Sequence, residues 1–209
     1  CALPISEVVI TSTPTTELTV NTDGTVDVTP GTPAGEYTID YTICEILNPS
    51  NCDTATVTVT VTAPVIDAVA ETFPSINGYD GGVTTTVLGS DTLNGVAVDP
   101  NDVTITVGAS DPELVLDPVT GLITVAPDTA AGTYTVEYTI CEDNNPSNCD
   151  TVIETVTVTA APIDAVNDTA GPINGLTGGD AGIDVLTNDT LNGVAVVPSE
   201  VVITSTPTT

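Results

Sequence analysis

Residues 36–61 read EYTIDYTICEILNPSNCDTATVTVTV, and residues 133–158 read TYTVEYTICEDNNPSNCDTVIETVTV. In the first stretch Tyr37, Ile39, Tyr41 and Ile43 alternate with Thr38, Asp40 and Thr42, the period-two spacing that puts one set on each face of a β-strand. Beyond the turn, Ala55, Val57, Val59 and Val61 form a second inner set with threonine between them. Threonine keeps β propensity on the wet face without exposing apolar surface, so the pattern specifies register as well as strand. Two such strands joined across Cys44 and Cys52, and again across Cys141 and Cys149, describe hairpins closed at the mouth by a disulfide. Zinc is the rival for paired cysteines, but this spacing is too long for a knuckle and the chain has no histidine.

The two stretches belong to a longer repeat. Ile66 begins IDAVAETFPSINGYDGG and Ile163 begins IDAVNDTAGPINGLTGG; both continue to the shared words DTLNGVAV. The copy from Ile66 runs to Pro162, whereas the copy from Ile163 reaches Thr209 half complete, and residues 17–65 align with the missing half. The eleven residues SEVVITSTPTT occur at 6–16 and again at 199–209. The expected organisation is therefore a C-terminal half-repeat at 6–65, a complete β-sandwich at 66–162 and an N-terminal half-repeat at 163–209, completed by 6–65 of the next copy. Residues 1–5, CALPI, diverge where the duplicated words begin and are similar to one frame of a sequencing adapter; they are read as a non-native junction rather than a lipid-bearing N-terminus. Short strands at intervals of about ten residues, separated by Gly, Pro, Asn and Asp turns, give an all-β fold of tandem sandwich domains.

Composition narrows the function. The chain has 209 residues, 40% of them hydrophobic, with no Trp or Met and one Phe. Its 29 acidic residues face no Lys, Arg or His, for a formal net charge of -29. Phosphate neutralisation needs cations, so nucleic acid and direct contact with anionic membrane are excluded as partners. Repulsion among the carboxylates is relieved by salt or divalent cations. Paired cysteines imply an oxidising, extracytoplasmic location. No apolar run has the length of a membrane span, and no leader is visible, which reads as a mature chain or a window on a longer one. Catalysis would fall to carboxylates alone, and nothing distinguishes two of the 29 as a pair, so no enzyme is expected.

AVNDTAGPINGLTGGDAGIDVLTNDTLNG resembles the opening of bacterial cadherin-like tandem repeats. DGTVDVTPGTPAGEYTIDYTICEILNPSNCDTATVTV resembles the Ig-like repeats of large surface proteins of Bacteroidota, including gliding-associated and type IX-secreted adhesins. The resemblance implies export, surface attachment and a stalk or adhesive role. It also implies calcium near domain junctions, where hard oxygen ligands gather. Candidates are Asp164, Asn167, Asp168, Asn188 and Asp189, with Asp67, Glu71 and Asp91 at the equivalent places in the central repeat. The rival role for all eight is turn chemistry, in which Asn and Asp side chains bond backbone nearby. Asp-Thr steps at Thr54, Thr92, Thr129, Thr151, Thr169 and Thr190 are similar to an O-glycosylation motif of Bacteroidota, and Asn167 and Asn188 stand in Asn-x-Thr sequons.

Two functions remain. The first is a structural repeat of an extracellular filament or stalk, its partners identical copies placed head to tail by strand complementation or in one covalent array. The second is an adhesive module that binds a ligand or glycan. A binding module needs variable loops or an aromatic platform, and only Tyr79 is placed in a loop; NPSNCDT and DTLNGVAV repeat unchanged, which favours the structural reading.

Overall fold

The computed structural model describes residues 8–206; the CALPI segment lies outside them. From the N-terminal side run β1 (Val8–Ser12), β2 (Leu18–Val20), β3 (Val26–Val28), β4 (Gly35–Glu45) and β5 (Cys52–Val61). The middle of the chain supplies β6 (Ile66–Asp67), β7 (Ile76–Asn77), β8 (Gly82–Thr86), β9 (Thr92–Leu93) and β10 (Val96–Ala97). It continues with β11 (Val103–Ser110), β12 (Leu114–Leu116), β13 (Leu122–Val125), β14 (Gly132–Glu142) and β15 (Asn145–Thr159). Then come β16 (Ile163–Asp164), β17 (Thr190–Leu191) and β18 (Val194–Ala195). The fold is all-β with sandwich architecture, and no helix occurs among the described residues.

The alternation read from residues 36–61 becomes a register without a slip. β4 and β5 pair antiparallel from Gly35↔Val61 through Tyr37↔Val59 and Ile39↔Val57 to Cys44↔Cys52. The last pair is bridged by a disulfide with its Cα atoms 4.1 Å apart, and Cys141–Cys149 repeats it at 4.1 Å. β1 covers the free edge of β4, giving the order β1-β4-β5, and β14 is flanked in the same way in the order β11-β14-β15-β7. A second sheet, β12-β13-β8, accompanies the four-stranded one. The shared word LNGV makes the β9–β10 and β17–β18 hairpins: Asn94 and Asn192 both sit at φ 53°, and Gly95 and Gly193 at 74°. Positive φ at both central residues fits the right-handed twist of the flanking strands, so Asn-Gly is the dipeptide this turn selects.

By contacts the chain divides into two compact units. Among the described residues, the first takes in 8–71, Val87–Ala109 and Glu137–Ile153; the second takes in Thr72–Thr86, Ser110–Val136 and 154–206. In the second unit Leu114, Leu116, Ile123, Val125, Val136, Val156 and Val158 are all buried, the alternate residues of four strands. Glu154 takes an inward position on β15 and is fully buried among them in sequence, a place where β5 carries Val57. Gly78 belongs to this unit as well; a Cβ there would lie 2.0 Å from the Thr129 carbonyl oxygen, so no side chain is tolerated.

The first unit places two versions of the same hairpin in different surroundings. On β14, Tyr138 and Ile140 are fully buried. On β4, Tyr41 is half-buried and Ile43 is 39% exposed. β2 lies against β4 and buries Leu18 and Ile39, but Val57, Val59 and Val61 are only half-covered and Ala55 is exposed. The inner face expected of β4–β5 is thus formed but only partly roofed.

Burial sets the energetic difference, since deleting a core side chain costs about 2–5 kcal/mol and less where solvent already reaches it. Ile140→Ala should therefore destabilise by about that amount in urea unfolding, and Ile43→Ala by well under half as much. Equal losses would show that β4 is as deeply buried as β14. Intact-mass analysis with alkylation before and after reduction should find the four hairpin cysteines protected until reduced.

Candidate functional site

The residue with the most distinctive surroundings is Asp91, expected from the sequence as an oxygen ligand. It is fully buried. Its Oδ1 accepts the Val69 N–H at 2.7 Å, and the Tyr138 hydroxyl donates into the carboxylate, 3.1 Å from Oδ1 and 2.9 Å from Oδ2. The same hydroxyl lies 2.9 Å from the Val87 carbonyl oxygen. A tyrosine ring inside a sheet needs a partner for its hydroxyl, and the Val-Leu-x-x-Asp turn before β9 delivers one. Burial pushes the Asp91 carboxyl above the usual carboxylate range; the bonds from Val69 and Tyr138 oppose this, and the charges of Glu71 and Asp67 add to it. Glu71 is itself engaged, its Oε1 accepting the Ser90 N–H.

The C-terminal copy reproduces half of this arrangement. Asp189 accepts the Val166 N–H at 2.7 Å and is 9% exposed. No tyrosine donates to it among the described residues. Instead it faces a cavity of about 420 Å³, also lined by Val166, Val185, Leu186, Val196 and Ile203. Val185, the counterpart of fully buried Val87, is 48% exposed, and Ile203 is 63% exposed where Ile105 is 8%.

Four of the five C-terminal calcium candidates, Asp164, Asn167, Asp168 and Asp189, line that one cavity. Asp164, Asn167 and Asp168 lie on the rim of that cavity and are exposed; Asn188 and Asp67 are exposed as well. Among the described residues no group of three or more His, Cys, Asp or Glu side chains is placed to hold a metal ion. Elsewhere the acids act as turn closers. Asp23, Asp99 and Asp117 each accept the backbone N–H two residues on, at 3.0, 2.9 and 2.9 Å, which with hydroxyl and amide partners holds their carboxyls below the usual range.

Thr54, Thr151 and Thr169 are exposed, while Thr92, Thr129 and Thr190 are half-buried. The hydroxyl of Thr54 pairs with Thr42 at 2.9 Å, that of Thr151 with Thr139 at 2.7 Å, and that of Thr129 with the Ala126 carbonyl at 2.6 Å. Asn167 is exposed like Asn188. Tyr79 lies in the turn after β7, as expected, and is half-buried; its hydroxyl donates to Glu200 at 3.3 Å, and the charge of Glu200 raises its phenol. Tyr37 and Tyr134 share one local lock, the hydroxyl donating to the carbonyl four residues upstream at 2.9 and 2.8 Å.

The buried carboxylate has a pH signature. A carboxyl whose folded pKa is raised binds its proton more tightly when folded, so its contribution is complete below the ordinary carboxylate range and is lost as pH rises through the raised value. Between pH of about 4 and about 7 the stability difference between wild type and Asp91→Asn should therefore move in the variant's favour. Parallel stability curves would show that Asp91 titrates alike in folded and unfolded chains.

No family model matches the chain, and no curated relative matches it. Among solved structures it is similar to human protocadherin-24 EC1-2, at 15% identity over 73% of this chain and 82% of that one, with a TM-score of 0.36. It is similar to mouse cadherin-23 EC22-24 at 14% identity, covering 74% of this chain and 53% of that one, with a TM-score of 0.38. A third likeness is the protocadherin gamma B4 extracellular domain, at 14% identity, 79% and 30% coverage and a TM-score of 0.32, so the chain spans under a third of that protein. The all-β assignment rests on the sheets and registers themselves.

Proposed function

We propose that this chain is a structural repeat segment of an extracellular filament or cell-surface stalk, of the kind its motifs resemble. The observation that carries the reading is that the same hairpin is built twice with the same disulfide and the same tyrosine lock. The division into 6–65, 66–162 and 163–209 forms part of the proposal, and so does the head-to-tail succession of copies. Two disulfides suit an oxidising compartment. Unchanged turns, LNGV among them, suit a spacer better than a binding loop. Any glycans at the exposed threonines Thr54, Thr151 and Thr169, or at Asn167 and Asn188, would project from the surface of such a fibre.

Calcium at the cavity lined by Asp164, Asn167, Asp168 and Asp189 forms part of the proposal, since carboxylate and amide oxygens suit a hard cation. A chelator should lower the melting temperature by several degrees, and an unchanged melting temperature would remove calcium as a structural ion.

Electron microscopy of the purified chain at rising concentration should show unbranched filaments of one diameter. Discrete particles that never elongate, together with binding on a glycan or peptide array, would replace the structural reading with an adhesive module. On a denaturing, reducing gel the native polypeptide should run near 21 kDa if copies are separate subunits, and as a very large species if they are covalently joined.

A further inference from the structure

The peptide VVITS occurs at 8–12 and at 201–205, in two states. Val8–Ser12 is β1, paired with β4 from Val8↔Glu45 to Ser12↔Tyr41. Residues 201–205 form no strand. An identical sequence that is ordered beside β4 and irregular elsewhere lacks only a partner edge, because strand pairing is made by context more than by propensity. The corresponding strand of the central repeat, β11, has that edge in β14.

We infer that a second copy of this chain seats its β4–β5 hairpin on residues 163–206, with residues 201–205 replacing that copy's own β1 along β4. In that seating the Tyr41 hydroxyl of the incoming copy closes on Asp189. The inference rests on the head-to-tail reading above and names its contact. β1 is then a placeholder. Exchanging it is neutral along β4, because the five residues that leave and the five that arrive are the same. The gain lies in what β1 does not bring: an aspartate and an apolar pocket for the tyrosine.

The central repeat supplies the template for that pocket. There, Tyr138 bonds Asp91 and the Val87 carbonyl with all three residues fully buried. The counterparts of Asp91 and Val87, Asp189 and Val185, line the open cavity of about 420 Å³. The counterpart of Tyr138 is Tyr41, which is half-buried and whose hydroxyl bonds no described residue. A second position agrees. Gly78 is pressed by the Thr129 carbonyl, whereas its counterpart Gly175 has nothing within 4 Å; the counterpart of Thr129 is Thr32, carried by the same incoming half. Two chains of formal charge -29 repel, so the exchange should be promoted by salt.

The test is sedimentation velocity on the 209-residue chain across a concentration series at low and high salt. Wild type should form a ladder of oligomers, favoured by salt. Tyr41→Phe and Asp189→Ala should each weaken association by roughly tenfold or more, the loss of a buried charge-assisted hydrogen bond. An equimolar mixture of the two variants should recover a dimer, because one intact Tyr41–Asp189 contact forms between them and no second one can. A chain carrying Thr11→Cys and Thr42→Cys, which face each other on β1 and β4, should stay monomeric when that bond locks the placeholder in place, while Thr11→Ser with Thr42→Ser should assemble. Wild-type assembly unaffected by Tyr41→Phe, Asp189→Ala and the lock would overturn the inference and leave head-to-tail assembly standing. A wild type that is monomeric at every concentration and salt would overturn both.

Discussion

An alternating strand is stable only when something covers its apolar side. The hairpin of tyrosine, isoleucine and valine meets this demand in one place and falls short of it in another within the same polypeptide. On β14 the demand is met by neighbouring strands and by a turn that offers a carboxylate to the phenol, and Tyr138 disappears from solvent. On β4 the roof is two short strands, β2 and β3, and Val28 at its far side is 40% exposed whereas Val125, its counterpart, is 1% exposed. Packing follows from which partners are present, since the strand sequences are nearly the same.

The absence of any basic side chain shapes everything polar. Ion pairs between side chains are not available to offset 29 acids, so carboxylates take donors from backbone N–H, hydroxyl and amide groups. Glu45 is held by Asn48 and Asn51 at 2.5 and 3.0 Å inside the disulfide loop, and Glu142 by Asn148 at 3.0 Å in the other copy. The Asn-Pro-Ser-Asn loops therefore act as donor supplies for the glutamate that follows each first cysteine. At Glu45 the bonds from Asn51 and Asn48 hold the carboxyl below its usual range, and in both loops they add direction that diffuse charge would lack.

The hairpins are legible in the sequence because period-two alternation and paired cysteines act over a few residues. Asn94-Gly95 and Asn192-Gly193 are legible for the same reason, as the dipeptide dictates the turn. The role of Asp91 is not, because its partner Tyr138 lies 47 residues away and only the fold joins them. An acid in a turn reads as a ligand or an Asx closure, and nothing local signals that its side chain will be enclosed. Tyr79 meets the same limit: its Asn-Gly-Tyr turn is legible, but the Glu200 brought to its hydroxyl is not. Duplication within the chain lets buried residues of one copy be compared with their counterparts in the other, as fully buried Val87 with Val185 at 48% exposure.

The hairpin disulfides set a ceiling on extension. A strand pair pulled apart from its open end separates one register step at a time until it reaches the bridged cysteines. Beyond that point the backbone between Cys44 and Cys52, eight residues apart in sequence, is bypassed by a covalent shortcut. Roughly 25 Å of contour per hairpin is thereby withheld from a stretched chain. Load then travels through sulfur rather than through the Asn-rich turn, so each hairpin yields a fixed length and no more.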